Sequence, residues 1–397
     1  MVRVLAVLSV ILAVLTACGG SPEQDTAEDP DSAGHVIADA PADNLDQALR
    51  DAASSARTMT YASRNGVNDA VSHVTGSVFV PKGTPPPGGF PIVALGHRST
   101  GTASDCAPSL SPNLLGEAAT VIALLNAGYV VTVPDYQGLG KPSKPDDYDF
   151  HPYLDSTTSG FTMIDAVRAA RNLVPDTSNS WAALGAQEGG QAAWAANELA
   201  DNYGHDLKLV AAAALAPMAE VSGLADAAMA GTLNTDQKLV YVAYLAALKD
   251  EYYYDFELDD YRRGAAEQNW DALLKCSDPV QRKALAETIP PEDLRPASPA
   301  ALQTLRGYLQ KTNLPQGPTQ APMYVIYGGQ DSAIPAVWTD QAITKACQMG
   351  DVIQIAFWPD KGRDQIDPVA ALGWLTDRMK SLPSANDCPS FTAAHKP

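Results

Sequence analysis

The chain has 397 residues, with 27 Lys and Arg against 46 Asp and Glu, so its formal net charge is −19 at pH 7. A surface this acidic repels nucleic acids and anionic lipid head groups, which argues against a nucleic-acid-binding protein. The simplest explanation of the charge is solubility outside the cell. Apolar residues make up 46% of the chain, enough for one large α/β domain with an insertion, or for two domains.

The first 17 residues predict a lipoprotein signal peptide. Arg3 supplies a positive start, and residues 4–14 are an apolar run too short to span a bilayer. The run ends in Leu15-Thr16-Ala17-Cys18, which is typical of a bacterial lipobox. We therefore expect lipidation of Cys18, which would anchor the protein to the outer face of the cell membrane with two acyl chains. The alternative is a plain signal peptide with an incidental Cys.

Residues 18–45 predict a disordered acidic tether. Between Cys18 and Arg50 there are eight acidic residues and no Lys or Arg. Such a segment buries too little apolar surface to order itself, and its self-repulsion keeps it extended. A chain of this length reaches roughly 30 Å, so the globular part is expected to hang off the membrane.

Four cysteines remain after Cys18, namely Cys106, Cys276, Cys347 and Cys388. An even number in an exported chain suggests two disulfides, and three pairings are open. None has the close spacing of a zinc or redox site, so we predict no metal and no cofactor.

Short apolar runs closed by Gly or Pro alternate with helical patterns, which predicts parallel βαβ units. The predicted strands are 74–81, 91–95, 129–134, 181–184, 209–215, 323–327 and 352–358. The predicted helices are 116–127, 159–172, 190–202, 338–349 and 368–380. Right-handed crossovers then give a mostly parallel, doubly wound sheet with its active edge at the strand C-termini.

The alternation breaks between the two parts of this core, which we place at residues 46–219 and 316–385. Residues 220–315 are helical in pattern, with clear helices at 236–250 and 278–287, and predict an inserted helical cap. Residues 386–397 are predicted to be a tail. The cap tyrosines are expected in its core: Tyr241, Tyr244, Tyr252, Tyr253 and Tyr254.

The most informative motif is Gly185-Ala186-Gln187-Glu188-Gly189-Gly190, directly after the apolar run 181–184. It has the outline of a nucleophile elbow, in which a strand turns sharply into a helix and the outer glycines leave room for the turn. Gln187 stands where Ser, Cys or Asp is needed. Because an amide cannot attack a carbonyl, ordinary serine-hydrolase chemistry at this turn is excluded.

Three further segments accompany the elbow: residues 96–101 (Gly-His-Arg-Ser-Thr-Gly), residues 135–140 (Asp-Tyr-Gln-Gly-Leu-Gly) and residues 151–155 (His-Pro-Tyr-Leu-Asp). Together with the elbow they resemble the secretory lipase (lipase A-like) family of the α/β-hydrolase superfamily. The resemblance runs from about residue 75 to residue 385. It implies an α/β-hydrolase fold with an inserted helical cap.

The resemblance also implies where a catalytic triad would stand. Gln187 occupies the nucleophile position, Asp331 in Gly328-Gly329-Gln330-Asp331 occupies the acid position, and Arg363 replaces the base His. Two of three members are therefore absent. We expect Arg363 to form an ion pair with Asp331, since a buried carboxylate without a partner is costly.

An oxyanion hole is implied by the same family. Its donors would be the backbone N–H of Glu188 and the loop around Arg98 and Ser99. Arg98 replaces a family Gly, and its bulk is able to fill the pocket. The resemblance further implies the disulfides Cys106–Cys276 and Cys347–Cys388.

Substitute catalytic groups are each better explained otherwise. The histidines to consider are His97, His151 and His395, and the hydroxyls are Ser99, Thr100 and Ser332. The first two histidines belong to family structural motifs, His395 to the tail, and the hydroxyls to loops and turns. A Glu188–Asp331 carboxylate pair could run glycosidase-like chemistry, but no other feature points to sugars, and we expect Glu188 to hydrogen-bond locally.

Three functions remain open. The favoured one is a catalytically inactive, surface-anchored lipoprotein that binds a lipid or acyl ligand, or a partner, in the cell envelope. The second is a weak carboxylic-ester hydrolase or lipase that uses non-standard residues. The third is a non-catalytic protein-interaction scaffold.

Overall fold

The computed structural model describes residues 31–141, 150–252, 254–276 and 279–395. The predicted signal peptide, the lipidation site Cys18 and the first part of the predicted tether lie outside these residues. Within the described ranges, no helix is both long and apolar enough to cross a membrane.

A single sheet organises the described residues. Its strands are β1 (Val36–Pro41), β2 (Ala53–Arg64), β3 (Val71–Pro81), β4 (Phe90–Gly96), β5 (Val130–Pro134), β6 (Thr177–Ala186), β7 (Lys208–Leu215), β8 (Met323–Gly328) and β9 (Ile353–Trp358). They are ordered β1-β2-β3-β5-β4-β6-β7-β8-β9. The pairs from β1 to β5 are antiparallel, and every pair from β5 to β9 is parallel.

All seven predicted strands are confirmed as β3 to β9. The apolar run 181–184 is the middle of β6, which lies between β4 and β7 in the parallel part of the sheet. Strands covered on both faces read as continuous apolar runs, which is why the sequence reveals them. The parallel order brings the C-terminal ends of β4, β6, β8 and β9 to one edge.

The predicted tether is wrong from Val36 onward. β1 pairs antiparallel with β2, with Val36 opposite Tyr61 and Pro41 opposite Arg57. Asp39, one of the acidic residues that suggested disorder, forms an ion pair with Arg57. Backbone pairing at a sheet edge needs little buried apolar surface, so local composition does not reveal it.

Helices cover both faces of the sheet. They are α1 (Gln47–Ala52), α2 (Ala118–Asn126), α3 (Ser156–Leu173), α4 (Glu188–Leu199), α5 (Gly223–Ala230), α6 (Thr235–Glu251), α7 (Gly264–Gln268), α8 (Trp270–Leu274), α9 (Pro279–Thr288), α10 (Pro299–Thr312), α11 (Ala336–Met349), α12 (Leu372–Met379) and α13 (Cys388–Ala394). One apolar core lies between the sheet and α3, α4 and α11, and another between the sheet and α1, α2 and α12. This confirms the predicted doubly wound α/β architecture.

Each predicted core helix is present, with small shifts at its ends. α3 begins at Ser156, earlier than predicted, because Asp155 caps it by accepting a hydrogen bond from the backbone N–H of Thr158. The predicted tail contains one further helix, α13.

Six helices, α5 to α10, lie in the chain between β7 and β8, where the cap was predicted. They enclose an apolar core that also includes Tyr153, Leu154, Met218, Ala333 and Ile334 from outside the cap. Tyr241 and Tyr244 are buried in it as expected, whereas Tyr254 is 90% exposed and does not belong to the core. Tyr252 is only half-buried, with its ring 4.5 Å from that of Tyr308, and Tyr253 lies outside the described residues.

Two disulfides are present, in the pairing that the resemblance implies. Cys106–Cys276 joins a loop of the core to the cap, and Cys347–Cys388 joins α11 to α13. The first disulfide therefore links the cap covalently to the core, and the second holds the C-terminal helix α13 on the core.

Candidate functional site

The elbow motif forms a strained turn between β6 and α4. Gln187 has φ 58° and ψ −116°, a conformation that non-glycine residues rarely adopt. A Cβ at Gly185 would lie 2.1 Å from the carbonyl oxygen of Gly189, and one at Gly189 would lie 2.0 Å from that of Gly96. The chain thus keeps the backbone that presents a nucleophile, including the glycines that this backbone requires.

The Gln187 side chain, at the tip of the turn, forms hydrogen bonds through both the nitrogen and the oxygen of its amide. Gln187 Nε2 donates to Asp364 Oδ1 at 2.8 Å, and Gln187 Oε1 accepts a hydrogen bond of 2.9 Å from Arg363 Nη2. Only 6% of Gln187 is exposed. The residue at the tip of the turn is therefore the centre of a polar bridge.

The expected ion pair between Arg363 and Asp331 is not formed. Arg363 follows β9 and reaches Gln187 and, at 3.5 Å, the sulfur of Met218. Asp331 Oδ1 instead accepts the backbone N–H groups of Ala333 and Ile334, at 2.9 Å and 3.0 Å. Burial raises the pKa of Asp331, and the Arg363 charge acts on it only through space. The Arg363 guanidinium therefore bonds to the residue at the nucleophile position rather than to the residue at the acid position.

Arg98 does not fill the pocket, contrary to the expectation. Its guanidinium turns away to Glu117, with Nη1 3.4 Å from Oε1. Ser99, in contrast, lines the cavity over the elbow. Glu188 is buried and is not among the described residues that line this cavity, so its role as an oxyanion-hole donor stays a prediction.

The side chain of Glu188 pairs with a distant residue rather than locally. Its Oε1 lies 2.8 Å from Nε2 of His151, and both side chains are buried. The other ring nitrogen of His151 lies 3.0 Å from the carbonyl oxygen of Gln137. Glu188 and Asp331 have separate partners, so they do not act as a carboxylate pair.

The remaining candidate groups are also committed elsewhere. The ring nitrogens of His97 lie 2.6 Å and 3.2 Å from two backbone carbonyl oxygens. Thr100 donates to the carbonyl oxygen of Cys106 at 2.7 Å, and Ser332 donates to Asp236. His395 lies near Asp340, with 3.8 Å between Nε2 and Oδ2. Among the described residues, no candidate hydroxyl therefore has a histidine as its hydrogen-bond partner.

Ser99 comes nearest to a positioned hydroxyl, and its partner is Tyr153. The two oxygens are 2.9 Å apart. Burial raises the pKa of Tyr153 far above its usual value, so the phenol stays protonated at neutral pH and is no general base.

A cavity of about 230 Å³ lies between the elbow and the cap. The core contributes its floor, including Ser99, Tyr153 and Gln187. Its cap-side residues are apolar or charged: Asp236, Leu239, Val240, Ala243, Leu273, Leu274, Pro279, Arg282 and Lys283. Gln187 and Arg363 therefore lie in the lining of this cavity, and Asp331 is not among its described lining residues.

The sequence profile of the secretory lipase family matches residues 110–387. The chain belongs to the secretory lipase family. No curated protein sequence matches it significantly. Membership of a secretory family indicates an extracytoplasmic protein.

Solved structures share the fold of this secretory lipase family member. Lipase A from Candida antarctica in its closed state aligns with a TM-score of 0.70 and 16% identity over 89% of this chain and 84% of that one. A putative hydrolase from Legionella pneumophila aligns with a TM-score of 0.65 and 17% identity over 91% of this chain and 98% of that one. A ligand-bound form of the rice cell wall degrading esterase LipA from Xanthomonas oryzae aligns with a TM-score of 0.65 and 20% identity over 91% of this chain and 97% of that one. These similarities establish the α/β-hydrolase fold.

Several residues of this secretory lipase site escaped the sequence analysis. Asp364 directly follows Arg363, and Tyr153 lies in the segment 151–155, but the sequence does not show the contacts that bring either of them to the site. Asp236, Arg282 and Lys283 come from the cap, and their meeting with the elbow depends on tertiary packing. One grouping of metal-ligating side chains occurs among the described residues, Asp105 with Cys106 and Cys276, and its two sulfurs form a disulfide rather than thiolates.

Proposed function

We propose that this secretory lipase family member is a lipid-anchored protein of the cell envelope that binds a lipid or acyl ligand without hydrolysing it. The observation that carries the proposal is the bridge at the elbow. Arg363 and Asp364 hold the amide of Gln187 at the position where hydrolysis needs a nucleophile.

The magnitudes argue against useful hydrolysis. A serine hydrolase loses roughly 10⁶-fold in rate when its nucleophile or base is removed, and removing the second adds little. An oxyanion hole and substrate binding alone retain only about 10³–10⁴-fold over water. With Gln187 and Arg363 at both positions, binding is the property that the fold retains.

The cavity supports a binding role. It lies between core and cap, has an apolar wall from α6 and α8, and includes Ser99 and Tyr153 in its lining. A small number of polar groups in a concave, partly apolar site is the usual composition of a ligand pocket. α9 adds the charged residues Arg282 and Lys283 to the lining.

Anchoring through Cys18 places this pocket outside the cell and close to lipid. Two acyl chains on the N-terminal Cys give stable attachment, which one chain does not. Mass spectrometry of the N-terminal peptide tests this directly. A peptide starting at Cys18 with a diacylglyceryl mass supports it, and an unmodified Cys18 refutes the anchor but not the binding role.

Labelling with a fluorophosphonate ester tests the loss of hydrolysis. The full chain is compared with the double variant Gln187→Ser with Arg363→His, and with Gln187→Ala as the control without a hydroxyl. We expect the intact mass to show labelling of the double variant alone. That result indicates that the site of the unaltered chain is accessible but lacks a nucleophile and a base. Labelling of the unaltered chain refutes the proposal, and peptide mapping then locates the nucleophile of a weak esterase. Labelling of no form indicates a closed pocket and a scaffold role.

A further inference from the structure

The charges that line the cavity do not cancel. Arg282, Lys283 and Arg363 contribute three cations, and Asp236 and Asp364 contribute two carboxylates. Lys283 Nζ is paired with Asp236 Oδ1 at 2.8 Å. One positive charge is therefore left over inside the cavity of a protein whose net charge is −19.

Arg282 is the cation without a carboxylate. Among the described residues its one polar partner is the carbonyl oxygen of Lys275, 3.4 Å from Nη1. Its Nε is buried and has no hydrogen-bond partner. Burial lowers the pKa of Arg282, and no carboxylate counteracts this. A partly buried guanidinium whose Nε has no acceptor is costly, and an anion in the cavity would offset that cost.

Arg363 points toward the same place. Its hydrogen-bond acceptors are the neutral amide of Gln187 and the sulfur of Met218, and Asp331 does not line the cavity. The charges of Arg363 and Arg282 both act on the hydroxyl of Tyr153, which is hydrogen-bonded to Ser99. Two guanidinium groups and two hydroxyls thus line the same cavity.

The remaining wall is apolar and the space is small. Leu239, Val240 and Ala243 of α6 face the cavity together with Leu273 and Leu274 of α8. A cavity of about 150 Å³ accommodates benzene, so by proportion the present volume holds roughly nine or ten non-hydrogen atoms. That is the size of a carboxylic acid with about eight carbons.

We propose that the cavity binds a short-chain carboxylate, with its head group held by Arg282 and Arg363 beside Ser99 and Tyr153, and its chain against α6 and α8. A guanidinium matches the geometry of a carboxylate and donates two parallel hydrogen bonds to it. A singly charged head balances the single uncompensated cation. This inference rests on the proposed binding function and names its ligand class as a free acid rather than an ester or an alcohol.

Isothermal titration calorimetry at neutral pH tests the proposal with three probes of equal chain length: octanoate, methyl octanoate and octanol. The protein is the full chain with Cys18→Ser, which carries no lipid and needs no detergent. Arg282→Gln removes the cation proposed to bind the carboxylate. Arg282→Lys keeps the positive charge but cannot donate two parallel hydrogen bonds. Arg306→Gln is the matched control, since it removes an equal charge from an exposed pair with Asp226 outside the cavity.

We expect octanoate to bind at least about tenfold more tightly than the two neutral probes. Arg282→Gln weakens octanoate binding by about ten- to a hundredfold, Arg282→Lys by less, and Arg306→Gln leaves it unchanged. Equal binding of all three probes, or an octanoate affinity unaffected by Arg282→Gln, overturns the carboxylate inference and leaves the acyl-binding function intact. Failure of all three probes to bind refutes both. Thermal unfolding of each variant shows that it is folded.

Discussion

The backbone at Gln187 predicts an unusual order of stability for two variants, Gln187→Ala and Gln187→Gly. Both lose the same hydrogen bonds to Arg363 and Asp364, so those losses cancel in the comparison. With φ 58° and ψ −116°, a residue with a Cβ is strained by about 1–3 kcal/mol, and glycine is not. Glycine costs about 0.4–1 kcal/mol in the unfolded chain. The glycine variant is therefore expected to be more stable than the alanine variant by roughly 0.5–2 kcal/mol.

Equilibrium urea denaturation measures this difference from the transition midpoints at a common m-value. Gly307→Ala serves as the reference, because Gly307 lies within α10 and a Cβ there meets nothing within 4 Å. At that position alanine is expected to be the better residue by about 1 kcal/mol. An alanine variant at position 187 that equals or exceeds the glycine variant would show that the elbow is not strained, and the reasoning would be wrong.

Three further predictions concern the elbow, the cap and the disulfide. Gly189→Ala places a Cβ 2.0 Å from the carbonyl oxygen of Gly96, so it should destabilise the protein by about 3 kcal/mol or more, and a normal urea midpoint would contradict the tight turn. Burial raises the pKa of Glu251 from 4.5 to about 7, so the stability that its protonated form contributes is full below pH 4.5 and is lost as the pH rises through 7. Glu251→Gln still accepts the hydrogen bond from Asn65 but does not ionise, so its unfolding free energy relative to the unaltered chain should rise between pH 4.5 and 7. Urea denaturation at several pH values measures this difference, and a difference that does not change with pH would contradict the raised pKa. The double change Cys106→Ser with Cys276→Ser opens a loop of 170 residues and should cost about 2–5 kcal/mol of unfolding free energy, whereas no loss would mean that the cap holds to the core without it.

The parts of the fold that the sequence predicts are those with local signals. The strand around Trp181 is a continuous apolar run, and the glycines at 185 and 189 mark a turn whose geometry needs them. β1 was missed because its own composition is acidic, and its neighbour β2 (Ala53–Arg64) was missed with it. Sheet pairing at an edge leaves no periodic apolar pattern to find.

The residues of the site likewise divide into those that a local sequence motif predicts and those that only tertiary packing brings there. Gln187 and Arg363 were located because each stands in a motif with a known order along the chain. The partner of Arg363 was predicted wrongly, because an arginine reaches further than the histidine it replaces and the sequence does not show which acceptor is nearer. Arg282 was not found at all, since its role depends on how α9 lies over the elbow.

The Cys106–Cys276 bond has a kinetic consequence. Cys276 lies shortly before α9, so the helix that carries Arg282 is fastened to the core near its start. A cap fastened there cannot swing open as a free lid at that end, and exchange must use movements of the other cap helices or of side chains at the mouth. For the ligand proposed above, entry and exit are therefore expected to slow together, while their ratio, and hence the affinity, stays the same. The expected effect of the covalent link is on residence time rather than on affinity.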